Sequence, residues 1–118
     1  MGAKIQRMSA REHDRAVALI SHLPHTLAHA MVHVFASRSD RKTLRPLLAG
    51  SFRDVTRVAS SDPEQWVQIF QANLKALRRS VRLFQRELNR LNAQLSKPSL
   101  RGALKKSQAY RTPLFDVI

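Results

Sequence analysis

The feature that most constrains this chain is an apolar repeat that runs through residues 67–95. Large apolar side chains recur there at alternating steps of three and four residues, the heptad pattern of a helix that packs along another helix. The repeat consists of Val67, Phe70, Leu74, Leu77, Val81, Phe84, Leu88, Leu91 and Leu95. It predicts one helix of about 30 residues and about 45 Å. A fold built around such a helix is all-α.

The length of this apolar seam exceeds what the chain can cover by itself. With 118 residues, the chain is long enough for one modest domain and has few other elements to lay over the seam. We therefore expect the seam to pack both within the chain and on a second copy, as an intertwined helical homodimer. The residues predicted to form this shared core and dimer seam are Phe70, Leu74, Leu77, Val81, Phe84 and Leu88.

A second long helix is predicted to start at Ser9. Ser9 and Glu12 fit a capping box, in which each side chain accepts from the other's backbone N–H. Because an apolar stripe at helical spacing lies on both sides of Pro24, we interpret the proline as a kink inside one long helix, which fades into the polar connector 37–40. The stripe consists of Ala16, Ile20, Leu23, Leu27, Met31 and Val34.

Short helices are predicted between the two long ones. A helical piece over residues 43–49 is expected to end at Gly50, because glycine suits the position just after a helix. Ser51 is expected to cap the next helix. Asp62 and Pro63 then suit the N-cap and first position of the helix that carries the seam.

The two ends of the chain are predicted to differ from the middle. Pro98 is expected to end the seam helix, and residues 99–110 are predicted to form a last helix. Residues 111–118 are expected to be a loose tail. Residues 3–7 are predicted to form a short extended strand.

Composition excludes several classes of function. The chain has no cysteine, which excludes disulfides and thiolate metal sites. Glycine occurs only at Gly2, Gly50 and Gly102, so neither the glycine-rich turn of a dinucleotide-binding fold nor a P-loop can be formed. No apolar run reaches the roughly 20 residues of a membrane span, and the first residues lack the apolar core of a signal peptide. We expect a cytoplasmic location and no membrane partner.

The charge of the chain raises the question of nucleic acid. The net charge is +13, from 21 Lys and Arg against 8 Asp and Glu. The cations are spread over the whole chain, and aromatic residues that could stack on bases are scarce beside them. We therefore do not expect nucleic-acid binding as the main function. A stand-alone basic helical binding module, regulatory or associated with nucleic acid, remains the alternative function.

Three histidines could suggest a metal site. His25, His29 and His33 are spaced by four residues on one helical face, and paired histidines at this spacing can bind zinc. Three histidines on one helix drift around it, and no carboxylate lies at a suitable offset. We predict no metal site, and we interpret His29 and His33 as surface or interface residues.

Two further residues have both a functional and a structural interpretation. Arg57 carries the guanidinium fork that binds a carboxylate or phosphate through two hydrogen bonds, but it also lies three residues from Asp54 and could form a weak surface ion pair. His25 directly follows Pro24, so it could face a cleft or act as an internally bonded core histidine.

Two stretches together resemble the prephenate dehydrogenase family, including its arogenate-using members. They are HDRAVALISHLPH at 13–25 and GSFRDVTRVASSDPEQW at 50–66. On this resemblance, residues 1–8 are the end of a nucleotide-binding domain, a strand and a linker, and residues 9–118 are a helical dimerisation and substrate-side domain. The resemblance implies an enzyme that uses NAD or NADP to decarboxylate prephenate or arogenate oxidatively, on the route to tyrosine.

The resemblance also implies roles for individual residues. Arg57 matches the arginine that grips a substrate carboxylate, and His25 matches a histidine in polar contact with the substrate. The remaining matches are Ser21, Gly50 and Trp66 along the substrate cleft, and Arg53 and Asp54 near the active-site mouth of the partner subunit.

The same resemblance places the general base and its partner serine in the nucleotide-binding domain. We therefore expect no catalytic residue and no bound cofactor in this chain, and no dehydrogenase activity from the chain alone.

Overall fold

A computed structural model describes residues 7–115 of the chain. All regular structure within that range is helical, which confirms the predicted all-α class. The strand expected at residues 3–7 lies outside the described residues, apart from Arg7. Across the same range, no helix has both the length and the apolar character that crossing a membrane requires.

The first long helix begins at the predicted capping box. The Ser9 N–H donates to Oε2 of Glu12 and the Glu12 N–H donates to Oγ of Ser9, both at 3.1 Å. From there α1 (Ala10–Val17), a π-helical turn (Ala18–His22) and α2 (Leu23–Ala36) follow one another without a gap.

The π-helical turn explains how this helix passes Pro24. The N–H of Leu23 donates to the carbonyl of Ala18, five residues back, where an α-helix would use the fourth. Pro24 has no N–H to donate, and the turn before it is the one that leaves α geometry. The prediction that the helix continues past Pro24 is confirmed.

The middle of the chain differs from the prediction at Gly50. Helix α3 (Arg41–Leu44) ends in a 3-10 turn (Arg45–Leu47), and Leu48 is extended with φ −63° and ψ 126°. Since the earlier helix has already ended there, Gly50 opens the next one instead of closing the last.

Helix α4 (Gly50–Thr56) therefore starts before Ser51, which lies inside it. Its N-cap is Ala49, whose carbonyl accepts from the N–H of Arg53 at 3.1 Å. A 3-10 turn (Arg57–Ser60) follows α4 and leads to the next helix.

The prediction of a single seam helix is wrong, because the seam is divided between two helices. Helix α5 (Pro63–Ala72) starts as predicted, with the Asp62 carboxylate accepting from the N–H of Glu64 at 3.1 Å. Asn73 then leaves helical geometry, with φ −128° and ψ 35°. Its side-chain amide donates to the carbonyl of Asp14 at 2.7 Å, and this long-range bond accompanies the break. The remaining helix, α6 (Leu74–Gln94), has 21 residues and is about 31 Å long.

The last helix agrees with the prediction. Helix α7 covers Leu100–Arg111, followed by a 3-10 turn at Thr112–Leu114 where a loose tail was expected. The guanidinium of Arg111 lies 4.0 Å from the centre of the Phe115 ring. Residues 116–118 lie outside the described range.

The chain divides into two units, residues 1–81 and 82–118. In the first unit, α2 packs against α4 and against the 3-10 turn at Arg57–Ser60, and the rings of Phe35 and Phe52 meet at 5.6 Å. Among the described residues of this unit, the buried apolar ones are Ala18, Leu23, Ala28 and Leu77. The second unit contains the C-terminal part of α6 together with α7.

Burial varies strongly along the predicted seam. Leu77 is buried, whereas Leu74 is 40% and Leu88 52% exposed. The three other predicted seam residues, Phe70, Val81 and Phe84, are half-buried. A single chain thus leaves apolar seam residues open to water, so the homodimer remains our prediction for what covers them.

Candidate functional site

Two histidines and two aromatic side chains of the first unit meet where the π-helical turn and the start of α2 face α5. We call this group, formed by His22, His25, Trp66 and Phe70, the ring cluster. The rings of His25 and Trp66 are stacked, with centroids 3.5 Å apart and planes at 18°. His22 meets the Trp66 ring edge-on at 6.2 Å and the Phe70 ring at 6.4 Å. The two histidines therefore contact the same indole in two different ways.

His25 is held by two contacts at once. In addition to its stack on Trp66, its Nδ1 lies 3.2 Å from the carbonyl oxygen of Ser21. Because a carbonyl oxygen can only accept, Nδ1 carries the proton and donates. In the neutral ring, Nε2 is then the nitrogen left to accept a hydrogen bond from a ligand. The structure thus brings together three predicted site residues, Ser21, His25 and Trp66.

Arg57 is placed on the neighbouring element. It opens the 3-10 turn Arg57–Ser60, which packs against α2, the helix that carries His25. Its side chain is exposed. The alternative ion pair with Asp54 is absent from the described residues, whose ion pairs are His13–Asp14, Arg38–Asp40 and Glu87–Arg90. Within residues 7–115, the guanidinium of Arg57 thus forms no ion pair.

The other predicted site residues lie on α4. Arg53 and Asp54 are exposed there, and Gly50 opens the same helix. A Cβ on Gly50 would lie 3.8 Å from Nη2 of Arg53, which is an ordinary contact distance. Nothing within residues 7–115 therefore demands glycine at position 50. A role for Gly50, Arg53 or Asp54 at a substrate cleft stays a prediction.

The three histidines at four-residue spacing, His25, His29 and His33, all lie on α2. Among residues 7–115, no three His, Asp or Glu side chains come close enough to hold one metal ion. His29 is half-buried and His33 is exposed on α2.

Two residues of the site were not predicted as such, His22 and Asn73. His22 is only 8% exposed, and its burial lowers its pKa; nearby His25 lowers it further, whereas Asp14 opposes the shift. Asn73 places its side-chain nitrogen 3.5 Å from Nδ1 of His22. The available signal was an asparagine directly before the seam residue Leu74, since asparagine is a common helix-ending residue.

Phe70 was predicted only as a seam residue. Its ring also contacts Trp66 at 5.6 Å and His22 at 6.4 Å, so Phe70 belongs to the ring cluster as well.

Comparison with known proteins links this arrangement to one family. Residues 9–106 match the family described as the dimerization domain of prephenate dehydrogenase. The chain is 38% identical over 99 residues to the cyclohexadienyl dehydrogenase of Zymomonas mobilis, an alignment that covers 81% of this chain and 33% of that protein. It is 41% identical over 75 residues to the prephenate dehydrogenase of Bacillus subtilis, covering 60% of this chain and 19% of that protein.

Solved structures that resemble this chain are dehydrogenases as well. The arogenate dehydrogenase of Synechocystis superposes with a TM-score of 0.87 at 31% identity, covering 93% of this chain and 42% of that one. The prephenate dehydrogenase of A. aeolicus, in complex with hydroxyphenyl propionate and NAD+, gives a TM-score of 0.84 at 32% identity and covers 40% of that chain. The present chain thus spans a third or less of the curated relatives and about two fifths of these structures.

Proposed function

Because the chain belongs to the prephenate dehydrogenase family, whose dimerization domain it matches over residues 9–106, we propose that it joins two subunits and forms the substrate-side wall of an NAD(P)-dependent dehydrogenase for prephenate or arogenate. The observation that carries the proposal is the stack of His25 on Trp66, on a helix that packs against the turn beginning with Arg57. This arrangement offers a flat polar and aromatic surface, and the helix that carries His25 also packs against the turn that begins with the cation Arg57.

The chemistry of these side chains suits the proposed substrates, which are cyclic carboxylates. The fork of Arg57 can bind a carboxylate through two hydrogen bonds. Trp66 and His25 supply rings against which a planar or nearly planar ring can lie. Nε2 of His25 can accept a hydrogen bond from the substrate, because Nδ1 is already committed to Ser21. In this proposal Gly50 lines the same cleft, and Arg53 and Asp54 approach the active-site mouth of the partner subunit.

The hydride acceptor has to be supplied elsewhere. The A. aeolicus relative was crystallised with NAD+, and we propose that NAD or NADP is held by a nucleotide-binding domain of the whole enzyme. With glycine only at positions 2, 50 and 102, this sequence contains no glycine-rich phosphate loop. The chain mixed with NAD(P) and prephenate should therefore give no turnover, and turnover would contradict this division of labour.

The high positive charge favours anionic substrates in general. A net charge of +13 raises the local concentration of dicarboxylates around the protein at low ionic strength. This effect does not depend on any one arginine. A test of the site therefore has to separate the contribution of Arg57 to binding from that of the overall positive charge.

The test uses Trp66, which is the only tryptophan of the chain, as an optical probe. Prephenate and arogenate are titrated into the chain while the emission of Trp66 is recorded. We expect a saturable change that Arg57→Gln weakens by about tenfold to a hundredfold, because a hydrogen-bonded charge contributes roughly 1.5–3 kcal/mol.

The matched control is Arg45→Gln, which removes the same charge from an exposed position outside the predicted site. It should leave the affinity nearly unchanged. An equal loss of affinity in Arg57→Gln and Arg45→Gln would mean that overall charge, and not Arg57, causes the binding. The absence of any saturable change with either compound would contradict the proposed function.

A further inference from the structure

The contacts of Asn73 reach into the ring cluster from the joint between α5 and α6. Its side-chain nitrogen Nδ2 lies 2.7 Å from the carbonyl oxygen of Asp14 and 3.5 Å from Nδ1 of His22. These two partners belong to the first long helix, which is more than 50 residues away along the chain. The joint is therefore tied to the helix that carries both histidines of the cluster.

The chemistry of these contacts fixes the state of His22. A backbone carbonyl can only accept, so the nitrogen of the Asn73 amide must face Asp14. The same nitrogen also faces Nδ1 of His22. Nδ1 must then be an acceptor, and the proton of the neutral ring sits on Nε2. Protonation of Nδ1 would set two N–H groups against each other.

The surroundings of His22 favour that neutral state. The side chain is buried, and burial lowers its pKa below the ordinary value of 6.5. The titratable groups facing it are Asp14 from α1 and His25 from α2. From α5 it meets the rings of Trp66 and Phe70, which do not titrate in this range.

We propose that His22 and Asn73 are positioning residues for the substrate-side surface: Asn73 holds the His22 ring edge-on against Trp66, and Trp66 in turn holds the stacked His25. The inference rests on the proposed function, which gives His25 and Trp66 their contact with substrate, and it deepens that function by adding the side chains that orient them. His22 acts through Trp66 and does not itself touch the substrate.

The proposal has a consequence for pH. The folded chain binds a proton on His22 less readily than the unfolded chain does, because its pKa is lowered in the fold. The neutral His22 ring therefore holds Trp66 in place fully above the ordinary pKa of about 6.5. This hold is lost as pH falls through the lowered pKa of His22 in the fold. The near-ultraviolet circular dichroism of Trp66 should therefore show a reversible loss on the acid side.

Three variants assign that acid-side step to one histidine. His22→Gln keeps a carbonyl oxygen that can accept from Asn73 but cannot titrate, so the Trp66 signal should persist and the step should vanish. His25→Gln removes the other ring that touches Trp66, and there the step should remain. His33→Gln, an exposed control on the same helix, should behave as the unaltered chain. A step that disappears in His25→Gln and persists in His22→Gln would overturn the proposal.

A fourth variant measures the effect on binding. His22→Leu fills a similar space but cannot accept a hydrogen bond from Asn73, so Trp66 and His25 should be misplaced. Prephenate affinity should then fall by between about tenfold and a hundredfold. His22→Gln should retain the affinity. A cooperative thermal transition for His22→Leu establishes that the variant is folded, and His22→Gln provides the comparison if it is not.

The outcomes separate this inference from the function on which it rests. Failure of the unaltered chain to bind prephenate or arogenate would contradict the proposed function, while the acid-side step of Trp66 would still report on His22. Equal prephenate affinity in the unaltered chain and in a folded His22→Leu variant would overturn the positioning role and leave the proposed function standing.

Discussion

Ser9 and Ser99 both precede a helix, but their backbones differ. Ser9 is extended, with φ −67° and ψ 160°, and its hydroxyl accepts from the N–H of Glu12. Ser99 already has helical angles, with φ −65° and ψ −14°, and its side chain makes no cap bond. The same residue type thus stabilises one helix start and not the other, because a cap side chain reaches the first free N–H groups only from an extended backbone.

This difference predicts different costs for the same substitution. Ser9→Ala should lower the free energy of unfolding by about 1 kcal/mol, the usual value of an N-cap, because it leaves an N–H of α1 unpaired. Ser99→Ala should change it by a few tenths of a kcal/mol at most. Urea unfolding followed by circular dichroism measures both. Equal losses in the two variants would show that the cap at Ser9 adds no stability.

Residues whose partners are close in sequence were the ones that could be predicted. Ser9 and Glu12 are three residues apart, and Asp62 caps through Glu64, so short patterns contain the whole interaction. His22 differs, because its ring partners Trp66 and Phe70 lie more than 40 residues away. Its neighbours in sequence therefore do not reveal that it belongs to the ring cluster.

At the scale of elements, the joint between α5 and α6 shows where sequence patterns stop being informative. The apolar repeat continues through Phe70, Leu74 and Leu77 as though the helix were unbroken. The break at Asn73 accompanies a bond to the carbonyl of Asp14, which no local pattern contains. Gly50 shows a related effect: glycine is common after helices, but here an extended Leu48 had already ended the preceding helix.

Removal of the side chain at this joint should destabilise the fold. In Asn73→Ala the intrinsic helix propensity rises, but the bond to Asp14 and the contact with His22 are lost, so we expect a net loss of about 1 kcal/mol. Asn89→Ala, at an exposed position on α6, should gain a few tenths of a kcal/mol from propensity alone. Urea unfolding of both variants is the measurement. A gain in stability for Asn73→Ala would mean that the joint is not held by this side chain.

At the scale of the whole molecule, the apolar seam is the feature that a single chain leaves unfinished. Leu74 and Leu88 are exposed although they belong to a heptad repeat, and within residues 7–115 the buried apolar residues are few. The family match to a dimerization domain supplies a reason, since a second copy can cover such a seam. The all-α class followed from the sequence, whereas the role of the seam residues in an interface stays a prediction, because it depends on a second chain.

A charge placed on the seam should therefore act on assembly more than on the fold of one chain. Leu88 is 52% exposed, so Leu88→Glu removes little burial from a single chain but puts a carboxylate into the proposed interface. Light scattering after size exclusion should give about twice the chain mass of 13.5 kDa for the unaltered protein and a lower value for the variant.

Gln85→Glu adds the same charge at an exposed position of α6 outside the repeat and should assemble normally. A monomeric unaltered chain at micromolar concentration would contradict the predicted dimer. An unchanged mass for Leu88→Glu would place the interface elsewhere.

The π-helical turn at Ala18–His22 also has a genetic consequence. Such a turn holds one residue more than an α-helical turn, so the residues after it are displaced by one position, or about 100°, from where an uninterrupted α-helix would place them. Ile20, inside the turn, is 71% exposed, whereas Leu23 just after it is buried. Loss of a single codon within this turn would remove the extra residue and leave an uninterrupted α-helix, in which Asp14 and the residues of α2 keep their places. Relatives without the turn should therefore align with this chain only across a gap of one residue at this place.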